Sequence, residues 1–328
     1  MRICIYGAGA TGGYLGVQLA LAGQDVTLIA RGAHLEAMRE RGVRLLIGGE
    51  QRLARPRCVE HPAEAGPQDY VIVTLKAHSI SGIAEGMRPL LGKDTAVVAA
   101  ANGVPWWYFY GLPGAHENHR VESVDPGGRI WEAIGPERVI GCIVYPATEI
   151  VEPGVVRHIE NNRLCLGEPL GRATERTNAL AGALRDAGFR CRVKANLRDE
   201  IWLKLLGNLS FNPISALTHA TLDRIAGEPG TARICELMMR EARAIAERLG
   251  ATIRVDIDRR IAGGGAVGKH RTSMLQDLDA GRPMEIDALV TAVQELGRLV
   301  EVPTPTIDVV LALIQQRGRT AGTYGGEP

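Results

Sequence analysis

The chain has 328 residues, 45% of them apolar and 23% charged, with 38 Lys and Arg against 37 Asp and Glu. That length suits two domains with separate cores. The near-neutral balance argues against a broad nucleic-acid or membrane-binding surface, and no uninterrupted apolar run of about 18 residues suits a membrane span.

Short apolar runs alternate with helical patterns through the first eighty residues, the pattern of a parallel sheet covered by helices. "RICIYG" (2–7) reads as a buried strand and 11–23 as the helix after it. A strand at 25–31 and a helix at 33–42 follow. "VRLLIGGEQRLARP" reads as a hairpin turning at Gly48-Gly49. Further strands are expected at 69–77, 95–103 and 139–147, then at "GVVRHI" and "RLCLGEP". Beyond about residue 195 helical periodicity takes over, at 197–217, 230–249, 271–280, 284–300 and 304–317, and the tail "RGRTAGTYGGEP" is expected to fray. The fold class is therefore α/β: a Rossmann-type doubly wound domain over 1–195 and an all-helical domain over 196–328.

Six scattered cysteines without a CxxC pair read as buried, reduced thiols. The N-terminus enters a strand directly, without the layout of a secretory signal. Together these lead to the expectation of a soluble cytoplasmic protein.

Gly7-Ala8-Gly9-Ala10-Thr11-Gly12 is a GxGxxG string between a strand and a helix. In that setting the first glycine serves the turn, the second admits a pyrophosphate to the backbone, and the third lets helix approach strand. The helix N-terminus adds N–H donors and the positive dipole end. The second strand ends Ile29-Ala30-Arg31 and lacks the carboxylate that would bind an NAD ribose. A guanidinium there suits a 2′-phosphate, so NADP(H) is the expected cofactor. Lys76 terminates the strand "VIVTLKA" and Asn102 terminates "VVAAANG", at the carboxyl edge where ligands bind in an open α/β sheet.

In "WLKLLGNLSFNP" (202–213) the apolar residues supply a buried side, while Lys204, Asn208 and Asn212 recur every fourth residue as one polar stripe. Pro213 is expected to kink the helix and redirect Asn212. The triple glycine 263–265 reads as a loop or hinge between helices. His116 and His119 lack a third nearby ligand and read as surface loop.

"GAGATGG", "VTLKAHS", "ANG", "KLLGNLSFNPISALT", "SMLQDLDAGRPMEID" and "VEVPTPTIDVVLALI" together resemble the ketopantoate reductases (2-dehydropantoate 2-reductases) over nearly the whole chain. The resemblance implies NADPH-dependent reduction of a 2-oxo acid to a 2-hydroxy acid, with the active site between the two domains. It implies Lys204 and Glu285 as catalytic residues, and Asn102, Asn208, Asn212 and Ser273 as substrate contacts. Gly7, Gly9, Gly12, Arg31, Lys76 and Asn102 correspond to cofactor-side positions, with Ala8, Ala10 and Thr11 completing the loop. A homodimer is a further expectation.

Five consecutive aromatics, Trp106–Tyr110, depart from the family pattern in a chain with only 4 Trp, 7 Tyr and 3 Phe. They read either as core or dimer contact, or as a cleft wall that admits a bulkier oxo acid. Two rival functions are a non-catalytic NADP(H) sensor and a β-hydroxy acid or opine-type dehydrogenase. The sensor needs no lysine–asparagine stripe, and the stripe fits the dehydrogenase less well.

Overall fold

The computed structural model describes residues 1–325. Two compact units form. The first comprises Met1–Ala101, Trp106–Arg120 and Gly127–Leu197, and the second comprises Asn102–Pro105, Val121–Pro126 and Arg198 onward.

In chain order the first unit carries β1 (Arg2–Tyr6), α1 (Ala10–Leu21), β2 (Asp25–Ile29), α2 (Gly32–Arg41), β3 (Val43–Ile47), β4 (Glu50–Ala54) and β5 (Arg57–Val59). These are followed by α3 (Pro62–Ala65), β6 (Gln68–Val73), α4 (Ala77–Ile83), β7 (Leu91–Ala99), α5 (Arg129–Ile134) and β8 (Val139–Val144). Then come β9 (Ala147–Glu152), β10 (Val155–Glu160), β11 (Arg163–Gly167), α6 (Glu175–Asp186) and β12 (Arg190–Val193).

Eight strands form one sheet in the order β12-β11-β8-β7-β6-β1-β2-β5. All neighbours run parallel except β11 against β8, where Leu164 faces Val144. The chain leaves β1 for β2 on one side and returns as β6 on the other, which puts the switch point at the carboxyl end of β1. Central runs such as Ile3, Cys4 and Ile5 are fully buried because helices cover both faces.

A second sheet, β4-β3-β10-β9, was only half legible in the sequence. Its β3–β4 hairpin turns at Gly48 (φ 59°) and Gly49 (φ 83°), the two positive φ values of a tight hairpin. Helix α1 lies between the two sheets. A Cβ at Gly12 would meet Ile5 at 2.9 Å, at Gly16 Leu28 at 2.5 Å, and at Gly13 Val156 of the small sheet at 2.8 Å. Covered on both sides, α1 is buried almost all round rather than amphipathic.

The aromatic run belongs to the core of this first unit. Trp106, Trp107, Tyr108 and Phe109 are each at most 4% exposed. Trp106 and Tyr110 meet Trp131 edge-on at 6.2 and 5.8 Å, and Phe109 takes the edges of His116 and His119. The ring of Trp107 fills the space that a Cβ at Gly141 would take. Burial of four of the five side chains favours the core reading, while Tyr110 is half-buried.

The second unit is helical: α7 (Leu197–Thr218), α8 (Leu222–Gly227), α9 (Pro229–Arg248), α10 (Ile257–Ala266), α11 (Ser273–Asp279), α12 (Ala292–Leu299) and α13 (Pro305–Thr320). A π turn, Asp287–Thr291, leads into α12. Trp202, Leu205, Leu206 and Leu209 of α7 and Met238, Met239 and Ile245 of α9 are all buried. Helix α7 runs unbroken through Pro213, so the expected kink does not end it.

Two expectations are corrected here. The triple glycine is helical, inside α10, because a Cβ at Gly264 would strike the Phe211 ring at 2.7 Å and one at Gly265 would strike Ala226 at 2.9 Å. Close packing demands glycine at 264 and 265, whereas a Cβ at Gly263 would meet nothing within 4 Å. Over its described residues the tail does not fray: α13 continues to Thr320 and Thr323 is 1% exposed, while 326–328 lie outside the described residues. None of the six cysteines forms a disulfide; five are buried and Cys58 is half-buried. No helix among the described residues is long and apolar enough to cross a membrane.

Candidate active site

The sequence-nominated residues fall into two groups, one in each unit. In the first unit the GxGxxG loop follows β1. Gly7 takes φ 97°, and its N–H, with that of Ala8, donates to Ile29 O at the end of β2. Thr74, just past β6, donates its hydroxyl to Gly7 O at 2.7 Å and its N–H to Tyr6 O. The loop is thereby tied to both strands that flank β1. Ala10, Thr11 and Gly12 form the first turn of α1, where a helix makes no internal bonds through its N–H groups. Thr11 also meets the Thr148 hydroxyl at 3.3 Å.

The three loop glycines have different causes. Gly7 is fixed by its positive φ, and Gly12 by contact, since a Cβ there would lie 2.5 Å from Gly7 O. At Gly9 a Cβ would meet nothing nearer than Gly7 O at 4.0 Å. The protein's own packing therefore does not demand glycine at 9, whereas a pyrophosphate laid against that backbone does. Arg31 is exposed and stands at the N-cap position of α2, right after β2. Lys76 is half-buried and occupies the N-cap position of α4 without capping it through its side chain. Strand β6 ends at Val73, so Lys76 sits in the loop beyond the strand rather than in it.

In the second unit Lys204 Nζ donates to Asn102 Oδ1 at 2.7 Å, and Asn102 Nδ2 donates to Glu285 Oε2 at 3.3 Å. An ammonium only donates and a carboxylate only accepts, so a single amide orientation satisfies both. Asn102 thus bridges a cation and an anion drawn from segments far apart in the chain. The bridge depends on Gly103, whose φ is 90° and whose Cβ would overlap Ala288 O at 2.3 Å. That approach lets Val104 N–H reach Ala288 O at 2.9 Å, which docks the loop on the segment that carries Glu285.

Glu285 is 7% exposed and immediately precedes the π turn. Asn208 and Asn212 continue along α7 from Lys204. Asn212 is only 6% exposed, and neither amide makes a hydrogen bond to protein among the described residues. Ser273, exposed at the start of α11 behind the Thr272 cap, takes no part in the Lys204–Asn102–Glu285 chain. Sequence reasoning overlooked the docking role of Ala288, for which an alanine carries no signal.

The chain's two parts match two family models, "Ketopantoate reductase PanE/ApbA" over residues 3–171 and "Ketopantoate reductase PanE/ApbA C terminal" over 196–318. The chain belongs to the ketopantoate reductase family. It is 54% identical over 325 residues to the 2-dehydropantoate 2-reductase of Mesorhizobium japonicum, covering 99% of this chain and all of the relative. A crystal structure from Ralstonia solanacearum MolK2 superposes with a TM-score of 0.94 at 44% identity, covering 98% of this chain and 99% of that one. The 2-dehydropantoate 2-reductase from Geobacter metallireducens superposes at 0.85 with 29% identity, over 96% and 99%. A D-mandelate dehydrogenase solved with NADH and anilino(oxo)acetate shares the fold at a TM-score of 0.83 and 22% identity.

Proposed function

We propose that this protein is a 2-dehydropantoate 2-reductase that converts 2-dehydropantoate to pantoate with NADPH. The observation that carries the reading is the Lys204–Asn102–Glu285 chain, extended along α7 by two asparagine amides that make no hydrogen bond to protein among the described residues. A sensor needs only the nucleotide loop and has no use for this array.

The Gly7–Gly12 loop, Arg31 and Lys76 would hold NADPH, with Arg31 suited to a 2′-phosphate, and the bound cofactor would supply the hydride for the carbonyl carbon. The remaining chemistry falls to side chains. Lys204 donates a hydrogen bond to the substrate carbonyl oxygen, polarises it, and delivers the proton that turns the developing alkoxide into a hydroxyl. Asn102 holds Lys204 in place through its Oδ1 and passes the influence of the Glu285 charge to it through its Nδ2. Solvent restores the proton afterwards. Asn208 and Asn212 hydrogen-bond the reacting oxygen or the substrate hydroxyl without adding charge, and Ser273 receives the carboxylate.

A cytoplasmic location suits an enzyme that draws on NADPH. A homodimer finds its support in Val309 and Leu313, exposed apolar neighbours one turn apart on α13. The decisive assay follows NADPH absorbance with 2-dehydropantoate and a panel of bulkier 2-oxo acids. Turnover of 2-dehydropantoate is expected to dominate. Tight NADPH binding with no turnover of any of them would overturn the reading.

A further inference from the structure

Glu285 is held from a direction that the reaction does not explain. The residue before it, Met284, donates its N–H to Thr323 O at 3.0 Å. Two residues after it, Asp287 accepts the Tyr324 hydroxyl at 2.8 Å. The same Asp287 oxygen accepts Thr291 Oγ1 at 2.8 Å, across the π turn closed by Ala292 N–H to Asp287 O. Gln315 of α13 donates to the Tyr324 oxygen at 3.0 Å, and the Arg319 guanidinium lies 5.6 Å from its ring.

The tail reaches this position by folding back on its own helix. Thr323 N–H donates to Gly318 O at 2.8 Å, and a Cβ at Gly318 would strike Tyr324 Cβ at 2.5 Å and Met284 Cε at 3.1 Å. Glycine at 318 is therefore what lets the tail lie against Met284. The segment clamped from outside by Thr323 and Tyr324 is the one that docks the Asn102 loop on its other side, through Ala288 O and Val104 N–H. A π turn inserted at a loaded segment is a recurrent feature of functional sites.

We propose that Tyr324 is a positioning residue of the reductase: through Asp287 it fixes the Glu285–Ala288 segment and hence the distances between Glu285, Asn102 and Lys204. Tyr324 touches neither substrate nor cofactor in this role. The proposal rests on the functional reading above, because it assigns the clamp a catalytic consequence.

The test uses the full chain with Tyr324→Phe, Asp287→Ala and Asp287→Asn. Phenylalanine keeps the ring against Gly318 and removes only the hydroxyl, so the fold is retained. Asparagine at 287 keeps an acceptor for both hydroxyls and serves as the rescue variant. Tyr324→Phe and Asp287→Ala are expected to lower kcat for 2-dehydropantoate about ten-fold, the factor for losing one hydrogen bond to a carboxylate. NADPH affinity should stay within about two-fold, and Asp287→Asn should recover most of kcat. The double variant should be no worse than Asp287→Ala, as for two ends of one interaction. A kcat for Tyr324→Phe within about two-fold of the parent would overturn the proposal. Amide exchange over 284–291 reads the clamp without activity: about ten-fold faster exchange in Tyr324→Phe supports it, and unchanged exchange refutes it. If the parent protein turns over no 2-oxo acid, the functional reading fails, while the exchange measurement still decides the clamp.

Discussion

Lys204 and Asn102, separated by 102 residues in sequence, meet through a 2.7 Å hydrogen bond, with Glu285 on the other end of the same amide. If Lys204 is the proton donor, Lys204→Ala should lower kcat by about 100- to 10,000-fold, the usual range for losing a positioned acid. NADPH binding should be nearly unaffected. Steady-state kinetics with a separate NADPH titration check this, and a Lys204→Ala enzyme with normal kcat would sink the assignment.

Arg31 is expected to distinguish the two nicotinamide cofactors. It stands exposed at the N-cap position of α2, directly beyond β2, with no carboxylate at the strand end to bind a ribose hydroxyl. Charge-assisted bonds to a phosphate contribute about 1.5–3 kcal/mol, or about 10- to 100-fold. Arg31→Ala should weaken NADPH by that factor and leave NADH almost unchanged, as read by fluorescence titration of both. Equal losses would count against 2′-phosphate recognition.

How far these features were legible follows from where each signal resides. The GxGxxG loop and the strands β1, β6 and β8 announce themselves because local composition and tertiary demand coincide: strands covered on both faces must be apolar throughout. The stripe on α7 is a local periodicity and survives intact. The small sheet did not show fully, since β9 (Ala147–Glu152) is largely solvated and its "ATEIVE" lacks a buried face. Strand β5 is three residues long. Helix α10 defied propensity, which penalises glycine by about 1 kcal/mol per residue, because Phe211 and Ala226 leave no room for a side chain. The Tyr324–Asp287 contact and the docking of Val104 on Ala288 are long-range pairings with no periodicity to announce them.

The aromatic run should behave as core. Trp107 is 1% exposed and packs where a Cβ on Gly141 would collide with its ring. Trp107→Ala should cost about 3–5 kcal/mol of stability, the range for truncating a buried large aromatic. The ranking of 2-oxo acids by kcat/KM should not change. Denaturant unfolding and a substrate panel test the two halves separately. A variant of parental stability that favoured bulkier substrates would support the cleft-wall reading.

Acid stability should depend on Glu168, which is 5% exposed at the end of β11. Its carboxylate accepts Arg176 through Nε at 3.0 Å and Nη2 at 2.6 Å, and the hydroxyls of Thr174 (2.5 Å) and Thr177. Thr174 also caps α6, so the cluster ties the start of that helix to the sheet. Burial presses the Glu168 pKa upward, but the hydrogen bonds from Arg176, Thr174 and Thr177 and the Arg176 charge overcome it and hold the group below its ordinary value. A carboxylate with a depressed pKa in the folded state contributes stability that is fully present above its unfolded value of about 4.3. That contribution is lost as pH falls through the folded value. Removing one partner strands the other, so Glu168→Ala should cost about 3–5 kcal/mol near neutral pH. The variant's stability should then change less than the parent's on acidification below about pH 4.3, because its unfolded state no longer gains this extra proton. Denaturant titrations of both proteins at a series of acid pH values measure the difference, and parallel pH profiles would show that the cluster contributes nothing to acid sensitivity.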